Sequence, residues 1–347
     1  MNLRKTIVAI VTLVTTSLLL SCSGSDNSTP NAGGERNNSF KVALLTPGPI
    51  SDNSWNGSAY QGLLSIRDSL GAEISHIQTR TPAEFEENFR QYGAQGYSLV
   101  IGNGFEFQDA ALRVAPSYPN TKYVVTSGLI TGPNVSGATF LFEEASYEAG
   151  IVAGAVTRSN QIGLIAGTDL PTVKSSFEAF IRGVKVSNPE ARTFITYIGN
   201  WEDASAGKEQ ALALIARGVD VLFQNADAAG LGVFQAVKEK RIFAIGSNSN
   251  QNSIAPDNIL ASVVIDLPTA FLDLARMVKE DKFTGELVEF GVKDNVVRLE
   301  YNEGLKSNIP AKAIAKVDSV DAQLHAGTFT AIADITKRTT TPKSPEQ

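Results

Sequence analysis

The chain has 347 residues, 43% of them hydrophobic and 19% charged, with a formal net charge of -6. That length leaves room for two domains, and the acidic balance argues against a nucleic-acid binder, which needs a basic face. One cysteine excludes an intramolecular disulfide, and the two histidines, His76 and His325, are too far apart in sequence for metal-ligand spacing.

The chain opens with Arg4 and Lys5, then an apolar run over 7–20 (IVAIVTLVTTSLLL). A charged start and an apolar stretch shorter than the roughly 20 residues of a membrane span predict an export signal over 1–21. Leu19, Leu20, Ser21 and Cys22 resemble a bacterial lipobox, which implies cleavage before Cys22 and its lipidation. Residues 22–39 are almost free of apolar side chains and read as a flexible tether. The expected location is the extracytoplasmic side of a membrane, in the periplasm or on the cell surface, with the protein held by a lipid anchor.

Beyond the tether, strands and helices alternate. Residues 42–46 (VALLT) form a continuous apolar run, as a buried parallel strand requires. The next helix carries Ala59, Leu63, Ile66 and Leu70 on one face. A charged helix over 82–91, a strand in GYSLVIGNGF (96–105), a helix over 107–115 and the strands KYVVTSG (122–128) and SGATFLFE (136–143) follow. The same rhythm then recurs. QIGLIAGTD (161–169) precedes a helix with Phe177, Phe180, Ile181 and Val184, and a second helix spans 204–217. GVDVLFQNA (218–226), a helix over 230–240, RIFAIGSN (241–248) and ILASVVID (259–266) complete the second series.

Two matching βα series predict an α/β fold of two doubly wound, parallel-sheet lobes. The ligand crevice of such sheets lies outside the carboxyl ends of the strands. Those ends here carry Thr46, Asn103, Ser127, Asp227 and Asn248, with the chain's only two tryptophans, Trp55 and Trp201, in the polar loops PISDNSWNGSAYQG (49–62) and YIGNWEDASAGKEQ (197–210). Trp55 is open to two readings: a helix-start residue packed back behind an Asp52 or Ser54 cap, or an aromatic platform facing a ligand. The parallel placement of Trp201 favours the platform, since two indoles from opposite lobes could sandwich a planar molecule. Asp227 is likewise open to a helix-capping or a ligand-facing role.

Five stretches, DNSWNGSAYQGL, EEASYEAGIVAGAV, GNWEDASAGKEQA, GVDVLFQNADAAGLGVFQAVKEK and AIGSNSNQNSIAPDNILASVV, resemble the basic membrane protein family of substrate-binding lipoproteins that serve ABC transporters. The resemblance implies a type I periplasmic-binding fold whose lobes are joined by a three-segment hinge, a purine nucleoside or related small aromatic ligand, and an ABC permease as partner. By the same resemblance Trp55 takes the place of a stacking Phe, Asn56 that of a base-contacting Asn, and Trp201 that of the opposing aromatic. Thr46, Ser127 and Asn248 stand where the family tends to place acids, and Ile265 where it places a lysine. The family's carboxylate anchor for ribose is thus missing, and Asp227 is an extra carboxylate facing the same crevice.

The expected binding set is therefore Thr46, Asp52, Trp55, Asn56, Asn103, Ser127, Trp201, Asp227 and Asn248, with no cofactor, no nucleic acid and a monomeric state. The expected lobes are 40–146 with 256–288, and 147–255 with 289–335, leaving 336–347 as a disordered tail. Crossings between lobes are expected over 144–147, 250–258 and 286–292. A sugar receptor of the same fold and a non-transport sensory or surface lipoprotein are the alternatives. An enzyme using Asp52 with Glu202, Asp203 or Asp227 is disfavoured, because acids at helix starts are explained by the helix dipole.

Overall fold

The computed structural model describes residues 39–52 and 54–332. The expected export signal, Cys22, most of the tether and the 336–347 tail lie outside the described residues. No helix among the described residues is long and apolar enough to cross a membrane.

The first series builds β1 (Lys41–Thr46), α1 (Trp55–Leu70), β2 (Glu73–Gln78), α2 (Pro82–Ala94), β3 (Leu99–Gly102), α3 (Gln108–Val114), β4 (Lys122–Thr126), β5 (Thr131–Gly132) and β6 (Val135–Phe140). After α4 (Phe142–Val156), the second series builds β7 (Gln161–Ala166), α5 (Pro171–Ser187), β8 (Arg192–Tyr197), α6 (Ala204–Ala216), β9 (Val221–Asn225), α7 (Gly230–Lys240), β10 (Phe243–Asn248) and β11 (Ile259–Ile265). The chain closes through α8 (Leu267–Lys279), β12 (Val288–Phe290), β13 (Val297–Tyr301) and α9 (Ala311–His325).

The two sheets share one plan: β12-β6-β4-β3-β1-β2, with β5 antiparallel on β6, and β13-β11-β10-β9-β7-β8. All pairings are parallel except those of β5 with β6 and β13 with β11. Central strands such as β3 and β9 are buried along their whole length, so both faces must be covered by helices. One core cluster runs across both sheets under α1, α4, α5 and α8. Separate clusters fill the α2–α3 face of the first lobe and the α6–α7 face of the second.

Sheet membership moves the expected lobe boundaries. Residues 256–265 were assigned to the first lobe, but β11 pairs with β10 in the second sheet. The polar stretch 249–258 reads as a linker, yet it is pinned within the second lobe. Gln251 Oε1 accepts from Ser247 N at 2.9 Å and Gln224 Nε2 at 2.7 Å, and Asn258 Nδ2 donates to Ile242 O at 2.9 Å. The second crossing therefore falls at Asp266, between β11 and α8, instead of 250–258. Residues 289–290, assigned to the second lobe, belong to β12 in the first sheet. The first crossing comes at Leu141, ahead of 144–147, because β6 ends in the first sheet at Phe140 and α4, which packs on α5 and α9, begins at Phe142. The third, at Gly291, falls inside the expected 286–292.

The three crossings are tied together. Leu141 N donates to Phe290 O at 2.8 Å, Val292 N to Glu144 Oε2 at 2.8 Å, and Asp266 N to Val296 O at 2.7 Å.

Candidate functional site

A cleft of about 1090 Å³ lies between the lobes at the carboxyl ends of their strands, at the upper end of the roughly 300–1,000 Å³ usual for small-molecule sites. Of the nine expected binding residues, Asp52, Trp55, Asn56, Ser127, Trp201, Asp227 and Asn248 line it.

Asp52 builds the near wall. Its Oδ1 accepts from Ser54 N at 2.9 Å and Gly57 N at 2.8 Å; its Oδ2 accepts from Asn56 N at 2.9 Å and Asn56 Nδ2 at 2.8 Å. Those four donors include amides left unpaired at the start of α1, so Asp52 is the helix-start residue of the two candidates and its oxygens are taken by the protein. Asn56 is oriented by this contact. With Nδ2 committed to Asp52, its Oδ1 is buried without a partner in a residue only 4% exposed.

Trp55 opens α1, half-buried. Its Nε1 donates to Asn103 O at 3.2 Å and its ring meets Phe140 edge-on at 5.8 Å. On the other lobe Trp201 packs closely against Gly167: a Cβ there would come within 2.2 Å of the indole. Any larger residue at 167 would lift the ring off its seat. Both tryptophans thus line the cleft and also pack, which joins the two readings of Trp55.

Asp227 follows β9 and faces the first lobe. Its Oδ1 accepts from Ser54 Oγ at 3.0 Å and from Asn248 Nδ2 at 3.0 Å, and Asn248 Nδ2 also reaches Ser54 Oγ at 3.3 Å. The two bonds to Ser54 bridge the cleft from one lobe to the other, and the carboxylate caps no helix. Burial and then the nearby charge of Asp52 raise its carboxyl to about 7, against the bonds from Ser54 and Asn248 that favour the charged form. Ser127, Asp227 and Asn248 all have left-handed backbones, at φ 57°, 46° and 66°. Such conformations cost non-glycine residues and gather at functional sites.

Two expected residues lie elsewhere. Thr46 is fully buried; its hydroxyl donates to Gly48 O at 2.9 Å and shares a 3.0 Å bond with His76 Nε2. Asn103 is also fully buried, its Oδ1 accepting from Thr126 Oγ1 at 3.1 Å, and it serves the site through the carbonyl that holds Trp55. Conversely, Phe140, Glu106 and Gly167 were not singled out from sequence. Phe140 ends β6 and Glu106 follows β3, so the strand-end rule that found the others could have found them. Among the described residues, no group of His, Cys, Asp and Glu side chains could hold a metal ion.

A family model described as ABC transporter substrate-binding protein, PnrA-like, matches residues 39–323. The nucleoside-binding ABC transporter protein BmpA of Lactococcus lactis is 28% identical over 93% of this chain and 99% of its own length. A purine-binding protein of Brucella abortus is 24% identical, covering 83% of this chain and 81% of its own length. In fold, the solute-binding protein of an Aeropyrum pernix ABC transporter superposes with a TM-score of 0.78 at 22% identity, over 86% of this chain and 95% of that one. The two-lobed architecture is accordingly the type I periplasmic-binding fold. The chain belongs to the PnrA-like family of ABC transporter substrate-binding proteins, which act outside the cytoplasm and whose partners are a small-molecule ligand and a permease.

Proposed function

We propose that this protein captures a purine nucleoside, or a related nitrogen-rich aromatic molecule, between its lobes and hands it to the permease of an importer, while a lipid on Cys22 keeps it at the membrane. The observation that carries the ligand class is the combination of Trp55 and Trp201 on opposite sides of one cleft with the unpartnered Oδ1 of Asn56. A planar ring can use the indole faces, each stacking contact being worth about 1–3 kcal/mol. The buried acceptor calls for a donor such as a ring N–H or an amino group, because leaving it unpaired costs about 1–3 kcal/mol. The names of the Lactococcus and Brucella relatives point to the same class. Calorimetric titration of the purified full chain with adenosine, guanosine, uridine and glucose tests the reading. Saturable binding of a purine nucleoside, tighter than that of glucose, is expected; binding of glucose alone would replace this reading with a sugar receptor.

A further inference from the structure

The charges of the cleft are one-sided. Seven acidic side chains line it against a single basic one, the exposed Arg80. Two of the acids act on a third: Asp52 and Glu106 both push the Asp227 carboxyl upward. Glu106 has an accessible edge along the cleft, yet protein surrounds it closely enough to push its own carboxyl upward as well. Three of the side-chain donors lining the cleft are already committed. Trp55 Nε1, Asn56 Nδ2 and Asn248 Nδ2 all donate to protein oxygens, while Asn56, a lining residue more than nine-tenths buried, keeps its Oδ1 as a buried acceptor without a donor. Six aromatic side chains line the same cleft: Trp55, Phe85, Phe105, Phe140, Phe142 and Trp201. Ring faces attract cations through their quadrupoles, and a low-dielectric cleft of one sign concentrates the opposite charge.

We propose that the preferred ligand is a cation: a positively charged nitrogen heterocycle, such as an N-glycosylated pyridinium or an N-methylated purine, with its ring against the aromatic wall and its charge toward Asp227. The inference rests on the reading that the cleft takes a planar aromatic molecule, and it adds the sign of the charge. A phosphorylated ligand would bring its negative charge among the carboxylates. Carboxylates also accept hydroxyl bonds from a neutral sugar moiety, so the test must hold the sugar constant while the charge on the ring changes.

Two matched pairs do this: nicotinamide riboside against its neutral dihydro form, and 1-methyladenosine against adenosine, each titrated calorimetrically into the full chain. At about pH 8 the cation of at least one pair should bind about tenfold or more tightly than its neutral partner. The preference should shrink toward about pH 5, as Asp227 takes up its proton, and fall at least about threefold in Asp227→Asn. Neutral members binding as tightly as the cations in both pairs, or a preference indifferent to Asp227→Asn, would overturn the proposal. If adenosine binds without any charge preference, the aromatic-ligand reading survives and only this inference fails. If no member of either pair binds a chain whose thermal unfolding is cooperative, this inference fails, and the aromatic-ligand reading fails with it when guanosine and uridine do not bind either.

Discussion

Asp52 and Asp227 stand in one cleft and are used differently. Asp52 meets four N–H donors and becomes part of the scaffold; Asp227 receives Ser54 and Asn248 on one oxygen and is raised to about 7 by burial and by Asp52. A carboxyl raised in the folded state keeps its proton to higher pH than it does in the unfolded chain. Its contribution is therefore fully present below the ordinary carboxylate range and is lost as pH rises through about 7. Without ligand, the wild type should lose stability between about pH 5 and 8 relative to Asp227→Asn, by roughly 2.5 kcal/mol. Thermal melts of both proteins at the two pH values measure this, and parallel slopes would contradict it. Residue by residue, the place of the two tryptophans on the cleft wall was legible because polar loops have little use for a buried indole, while Asn56 was marked only by the family resemblance. Thr46 and Asn103 were not: position at a strand end does not say whether a side chain points up into the crevice or down beneath it.

Among the elements, α4 was the hardest to read. Its stretch FEEASYEAGIVAGAV is apolar nearly all round and holds two glycines, so no amphipathic period marks it as a helix. The glycines explain themselves against α5. A Cβ on Gly150 would lie 2.0 Å from Phe180 O, and one on Gly183 of α5 would lie 1.9 Å from Tyr147 O. The two helices touch backbone to backbone, which only glycine permits. Gly183→Val should therefore force them apart and cost at least about 3 kcal/mol, beyond ordinary overpacking. Denaturant unfolding measures it, and a loss under about 1 kcal/mol would mean the contact yields more easily than close packing implies. Elements such as β1, β3, β9 and α1 were legible because their apolar runs or periods are clean, whereas the half-exposed edge strands β2 and β8 and the closing elements from α8 to α9 were not. The misplaced boundary at 256 came from the polar loop 249–258, whose side chains look solvent-facing in sequence but satisfy the backbone and side chains of the second lobe.

For the whole molecule, two similar lobes share three crossings hydrogen-bonded to one another and a bridge of Ser54, Asp227 and Asn248 across the cleft. Repetition made the two-lobe plan legible, whereas the exchange of β12 and β13 between the sheets was not, since short strands far along the chain carry no record of their partners. The proposed anchor is a separate matter of chemistry at the amino-terminal end. Acyl chains contribute about 0.8 kcal/mol per buried CH₂ to membrane affinity, so Cys22→Ser should abolish acyl labelling and release the protein from membranes. Persistent labelling would contradict the lipobox reading.

The proposal that one ligand is held between Trp55 and Trp201 is tested most directly by titrating the tightest-binding nucleoside into wild type, Trp55→Ala and Trp201→Ala, with circular dichroism confirming that each variant is folded. Each substitution should weaken binding by roughly 1–3 kcal/mol, about 5- to 150-fold, and each should alter the ligand-induced change in tryptophan fluorescence. Folded variants that bind with wild-type affinity would show that the two indoles only pack, and would contradict the account.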